Sequence, residues 1–129
     1  MKNTVFLSAT IRQGYGVTMC SKRIGYPFRL KRIRVYFPIG SDMEMQVTPV
    51  LAQDKTVPDD VMPTGTQLLS MLGNQAWVCG TAEMIEFEYD IIFESAGTYL
   101  KAYCLNSSFV DDHRVRILFE VESVKKGDV

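Results

Sequence analysis

The chain is poor in the groups that catalysis and metal binding draw on: among 129 residues it has one histidine, His113, and three cysteines, Cys20, Cys79 and Cys104. Three thiols cannot all pair within one chain, and they lack the close spacing of zinc ligands, so neither a disulfide framework nor a zinc site is expected. Cys104 shares strand parity with Leu100 and Ala102 and is read as a small buried hydrophobe. A hydrolytic triad needs a base, and the lone histidine sits in Val110-Asp111-Asp112-His113-Arg114. Asp111 or Asp112 orienting His113 toward Ser107 or Ser108 would require neighbours on a turn to face one another, so this segment is read as a polar turn instead. A cupin-like enzyme would gather several histidines around a metal, which this chain does not have. No catalytic group, cofactor or metal is therefore expected.

Long apolar runs are missing too. Nothing approaches the ~20 residues of a membrane-spanning helix, and the start, Met1 to Thr10, has one lysine and an apolar stretch too interrupted for a signal peptide. Synthesis in a cytosol and no membrane role are expected. Nor does one sign of charge dominate: 14 Lys and Arg face 15 Asp and Glu. The balance is uneven along the chain, with nine basic against five acidic residues in 1–65 and five against ten in 66–129. Nucleic-acid binders show a basic surplus without such compensation, so that role is not expected, whereas self-association between unlike patches is allowed.

What the chain does have is alternation. Phe28-Arg29-Leu30-Lys31-Arg32-Ile33-Arg34-Val35-Tyr36-Phe37 is basic on alternate positions, and Ile85-Glu86-Phe87-Glu88-Tyr89-Asp90-Ile91 is acidic in the same way. Side chains on a strand alternate between faces, so each segment has a core side and a charged outer side. Similar patterns predict strands near 3–12, 15–20, 27–37, 43–52, 75–79, 84–94, 97–106 and 113–123, separated by Gly, Pro, Asn and Asp clusters. Within the basic strand Phe28 and Leu30 share one face while Ile33, Val35 and Phe37 share the other, which predicts a bulge near Lys31-Arg32. Ser95-Ala96-Gly97 reads as a tight turn making 84–94 and 97–106 an antiparallel hairpin. Gly65 to Gly73 could form two helical turns carrying Leu68, Leu69 and Leu72, and 55–65, with two prolines and Asp59-Asp60, reads as a long surface loop suited to binding. The expected core includes Ile85, Phe87, Tyr89, Ile91, Leu100, Ala102, Val115, Ile117, Phe119 and Val121. At this length a chain buries roughly two-thirds of its surface on folding. One domain, 1–129, is expected: an all-β antiparallel sandwich of jelly-roll type with about eight strands.

The strand ending in Tyr36-Phe37-Pro38-Ile39-Gly40, the acidic strand running into Glu94 to Tyr103, and the last strand, Val115 to Glu122, together resemble the jelly-roll sandwiches of viral capsid proteins, lectins and carbohydrate-binding modules. Within that group the chain is most similar to small jelly-roll accessory proteins of tailed-phage virions. The resemblance implies a non-enzymatic virion component, a capsid decoration or head/tail accessory protein that contacts copies of itself, for example as a trimer, and other virion proteins. The alternative it implies is a carbohydrate-binding or receptor-binding module.

Candidate interaction residues follow from the surfaces. Arg29, Lys31, Arg32 and Arg34 could bind phosphate, pair with Glu86, Glu88 and Asp90 in the same sheet, or meet those acids on a neighbouring subunit. Tyr99, Lys101 and Tyr103 share the face opposite Leu100, Ala102 and Cys104, so an exposed ring pair around a lysine could stack a glycan or a partner chain. Trp77, beside Val78 and Cys79, is read as core. Asp54, Asp59-Asp60 and Asp111-Asp112 lack calcium-loop spacing and are read as solvated acids. Asn106-Ser107-Ser108 fits a glycosylation pattern but, without a secretory signal, is not expected to be modified, and Gly14-Tyr15-Gly16 reads as a turn.

Overall fold

A computed structural model describes residues 2–41, 43–73 and 75–124. The described residues form eight strands: β1 (Lys2–Ile11), β2 (Gly16–Cys20), β3 (Phe28–Tyr36), β4 (Met45–Ala52), β5 (Thr66–Gln67), β6 (Met84–Phe93), β7 (Tyr99–Asn106) and β8 (His113–Ser123). Pairing is nested. Strand one pairs with eight, two with seven, three with six and four with five, all antiparallel, as though one long hairpin had been rolled up on itself. Further ladders between β3 and β8 and between β4 and β7 produce two four-stranded sheets, β1-β8-β3-β6 (sheet A) and β2-β7-β4-β5 (sheet B). Eight strands wound in this order make a jelly-roll sandwich, the class expected from the alternation.

The core lies between the sheets and follows the alternation strand by strand. Val115, Ile117, Phe119 and Val121 of β8 and Leu100, Ala102 and Cys104 of β7 are buried, as are Met45 and Val47 of β4. Tyr89 is also buried, and its hydroxyl donates to the Leu68 carbonyl at 2.6 Å. Ile85, Phe87 and Ile91 pack against this core but stay half-buried, because β6 is the edge strand of sheet A. The register of β3 shifts between Leu30 and Arg32 against both of its neighbours. That bulge lets Phe28, Leu30, Ile33 and Val35 all reach the interior, despite the change of parity between them.

Three expectations are corrected. The fifth strand is not 75–79 but the two residues Thr66–Gln67, paired with Leu51 and Val50, while Val78 makes only an isolated bridge to Val47. Gly65 to Gly73 holds a single 3-10 turn, Ser70–Leu72, ended by Gly73 in the left-handed region at φ 80°. Leu68 and Leu69 enter the core while Leu72 remains exposed. Finally, β6 and β7 are not a hairpin: β6 pairs with β3 in sheet A, and β7 with β2 and β4 in sheet B. The short connection through Gly97 (φ 83°) crosses from one sheet to the other.

Because successive strands run in opposite directions, the β1–β2, β3–β4, β5–β6 and β7–β8 connections gather at one end of the sandwich. The β2–β3, β4–β5 and β6–β7 connections gather at the other.

Candidate interaction surfaces

The outer face of sheet A carries the charged stripes, and register brings them together. Arg34 stands opposite Glu86 on β6, and Arg32 stands opposite Glu88 on β6 and Glu120 on β8. Arg34 Nε donates to Glu86 Oε1 at 2.6 Å and Arg29 Nη1 to Asp90 Oδ1 at 2.6 Å. Lys31 Nζ lies 3.8 Å from the same Asp90 oxygen. Arg32 is the hub: its nitrogens are 2.9 Å from Glu120, 3.9 Å from Glu88 and 4.0 Å from Glu86. The hydrogen bond from Arg34 holds the Glu86 carboxyl below the usual range, that from Arg29 does the same for Asp90, and Glu86 in turn raises Arg34. Of the three readings left open for these residues, pairing within the sheet is realised. Glu120 was not among the candidates, although its outward parity on β8 with Arg116 and Glu122 marks it.

Sheet B is different. Lys101 is fully buried, Tyr103 is 8% exposed and Tyr99 is half-buried, so the expected exposed ring pair around a lysine is corrected. The cause is the β4–β5 connection, residues 53–65, which lies across this face. Lys101 Nζ donates to Asp54 Oδ1 at 2.6 Å and to the Thr56 carbonyl at 2.7 Å. Thr18 Oγ1 donates to the Pro58 carbonyl at 2.8 Å. Gly16 and Asp60 exchange two bonds, Gly16 N–H to Asp60 Oδ1 at 2.7 Å and Asp60 N–H to the Gly16 carbonyl at 2.9 Å. Asp60 reaches this position in the left-handed region, φ 57°. The hydrogen bond from Lys101 lowers the Asp54 carboxyl, and burial raises the Tyr103 phenol. The Tyr103 ring lies so close over Gly16 that a Cβ there would fall 2.2 Å from the phenol oxygen. The acidic loop expected to be a binding segment thus acts as a cover strapped to its own sheet.

The remaining motifs are also occupied structurally. The acids Asp60 and Asp112 accept backbone N–H groups, Asp112 from Gln13 at 2.9 Å. Among the described residues no three His, Cys, Asp or Glu side chains gather as metal ligands. His113 is buried, with Nε2 3.5 Å from Glu44 Oε1. The Ser108 hydroxyl instead accepts from the Val110 and Asp111 N–H groups, so the serine and histidine serve different parts of the turn. Asn106 is fully buried: its amide donates to the Ile11 and Asp111 carbonyls and its Oδ1 accepts from Ser108 N–H. The Asn-Ser-Ser motif is therefore a turn-building device. Trp77 is half-buried rather than core. Burial raises the Cys104 thiol to about 12, which leaves it an inert part of the interior.

One surface was missed by sequence reading. The β7–β8 connection is pinned by Asn106, Ser108 and Asp112, yet at its tip Phe109 is 93% and Val110 77% exposed. The neighbouring β3–β4 connection, tied to it by Ser107 N–H donating to the Glu44 carbonyl at 3.0 Å, exposes Ile39. Its sequence signal is two apolar residues inside a polar turn, flanked by Asn106-Ser107-Ser108 and Asp111-Asp112.

Comparison with protein families and with curated proteins finds no match. Among solved structures, the chain is similar to infectious bursal disease virus of the Gt strain (10% identity, TM-score 0.41) and of the Gx strain (10%, 0.42). The alignments cover 98% of this chain and 37% and 32% of the virus chains, so the chain spans about a third of their length. Tomato aspermy virus gives 12% identity and a TM-score of 0.35 over 99% of this chain and 81% of that one. TM-scores this low carry no functional assignment; the jelly-roll topology rests on the strand pairings themselves.

Proposed function

We propose that the protein is a single-domain, non-enzymatic structural component of a virion, a capsid decoration or head/tail accessory protein that works by contacts with copies of itself and with other virion proteins. The observation that carries this reading is the Phe109–Val110 tip. Leaving such side chains in water forgoes roughly 1.5–3 kcal/mol of burial for each, while the turn beneath them is held rigid by a buried asparagine and a buried serine. A tip that is both apolar and preorganised fits a protein contact, because little conformational entropy remains to be lost on binding. The jelly-roll topology agrees with the resemblance to virion proteins. The ion pairs of sheet A then serve the fold, and the stripe of Arg29, Lys31, Arg32, Arg34, Glu86, Glu88 and Asp90 would contribute registry at an interface rather than its anchor.

The test is to tag the chain in cells that produce it and to ask whether it bands with particles in a density gradient. Co-banding that survives a salt wash is the expected result. Tagged protein that stays in the soluble fraction while particles form without it would overturn the virion reading.

A further inference from the structure

We infer that the Phe109–Val110 tip of one copy docks into a groove between β1 and β2 of a second copy, an inference that rests on the assembly reading above. The groove, about 470 Å³, runs between the first half of β1 and the segment that follows β2. Its apolar lining includes Val5 and Leu7, both half-buried, Phe6, 53% exposed, and Ile24, fixed by a backbone bridge to Thr98. β1 pairs with β8 on one side only, so its other edge borders the groove. Lys22 and Arg23 stand on the rim, both exposed, and neither has an acidic partner among the described residues.

The tip has the complementary character. Two apolar residues lead directly into Asp111 and Asp112, and the Asp111 carboxylate has no cation beside it among the described residues. Apolar residues followed by acids thus match an apolar trough rimmed by bases, and the groove has the volume of a small-ligand pocket, enough for a phenyl ring and an isopropyl group. The tip cannot reach the groove of its own copy. Asn106, at the base of the tip, bonds to Ile11 at the far end of β1 from Val5, roughly 20 Å along the strand at the usual rise per residue. Tip and groove are different patches at different places, so the contact is heterologous and passes from copy to copy, closing as a ring if the rotation allows and continuing as a filament if it does not.

Sedimentation of the full chain over a concentration series tests this. Wild type should self-associate, and Phe109→Ser should weaken association by at least ~30-fold, the loss typical of an interface anchor, with an unchanged dichroism spectrum and melting temperature because the ring touches little of its own fold. Val110→Ser provides a second, milder variant. Lys22→Glu with Arg23→Glu should weaken association from the groove side and reduce its salt dependence. The decisive experiment mixes the Phe109→Ser and Lys22→Glu/Arg23→Glu proteins. Each is impaired alone, but one retains an intact groove and the other an intact tip, so the mixture should form a one-to-one dimer and nothing larger. Wild type that associates unchanged by Phe109→Ser would overturn this docking and leave the assembly reading standing. A mixture that stays monomeric would likewise overturn it. Wild type that remains monomeric at high micromolar concentration would overturn both the docking and self-assembly.

Discussion

The two outer faces of the sandwich begin from the same period-two rule and end in opposite states. On sheet A the residues that alternation turns outward include Arg29, Arg32 and Arg34, which reach water and are paired with acids on adjacent strands. On sheet B the residues turned outward include Thr18, Thr48, Lys101 and Tyr103, all buried, with Thr18 and Lys101 bonded to residues 53–65. Alternation decides which side chains leave the core. Whether they then meet solvent depends on a segment elsewhere in the chain, and here the difference lies in one loop with carbonyls and carboxylates spaced to receive the donors of the sheet.

The largest effect should strike the ground the two faces share. Phe119→Ala empties the interior between the sheets and should cost about 3–5 kcal/mol in denaturant unfolding; a loss below about 1 kcal/mol would mean that the inward faces are wrongly assigned. Next comes a change specific to sheet B. Gly16→Ala places a methyl group against the Tyr103 phenol, and the displaced ring should cost about 1–3 kcal/mol, most of it recovered when Tyr103→Leu is added. A Gly16→Ala protein as stable as wild type would show that the Tyr103 ring does not pack against Gly16.

Lys101→Met separates the strap from the core. An apolar side chain of similar volume in place of a buried ion should leave unfolding stability within about 1 kcal/mol, while protease cleavage between residues 53 and 65 accelerates because the Asp54 and Thr56 anchors are gone. Unchanged cleavage would remove Lys101 as the fastener. Acid should act on the same strap. The Asp54 carboxyl is held below its ordinary value by Lys101, so its contribution is complete above the unfolded aspartate pKa of about 3.9 and is lost as pH falls through the lower folded value. Cleavage in 53–65 should therefore increase below about pH 4 and be flat above it. The smallest effect belongs to sheet A: Arg34→Ala removes an exposed pair, and its consequence for stability should vanish in about 1 M salt, where screening is complete over a few ångströms.

The sandwich was legible because both inner faces read off the period of two, and even the Leu30–Arg32 irregularity announced itself as a change of parity between Leu30 and Ile33. What escaped was set by distant partners. Thr66–Gln67 is too short to show a period at all, and Val78, which does look like a strand residue, finds only one bridging partner in Val47. The link from β6 to β7 has hairpin length, but length alone does not distinguish a turn within a sheet from a crossing between sheets. Among the candidate site residues, the Arg and Glu stripes were recognisable from their complementary alternation, though not their common hub with Glu120. Tyr99, Lys101 and Tyr103 were placed correctly on the outer parity and wrongly in water, since no local pattern records what lies over them. Phe109 and Val110 were hidden by a polar context that turns out to build their support.

The pairing of β1 with β8 has a temporal side. Ile11 faces His113 and Lys2 faces Glu122, so the first of these eight strands to be made waits for the last of them. At typical translation rates of about 5–20 residues per second the intervening stretch takes roughly 5–20 s to make, longer than the milliseconds to seconds in which β domains fold. Sheet B has all its strands once Asn106 has emerged, whereas sheet A lacks the strand that separates β1 from β3 until β8 is made. For that interval the nascent chain carries a ten-residue strand with neither edge paired, open to the same strand on a neighbouring nascent chain. Synthesis on crowded polysomes is thus the stage at which this fold is most exposed to mispairing.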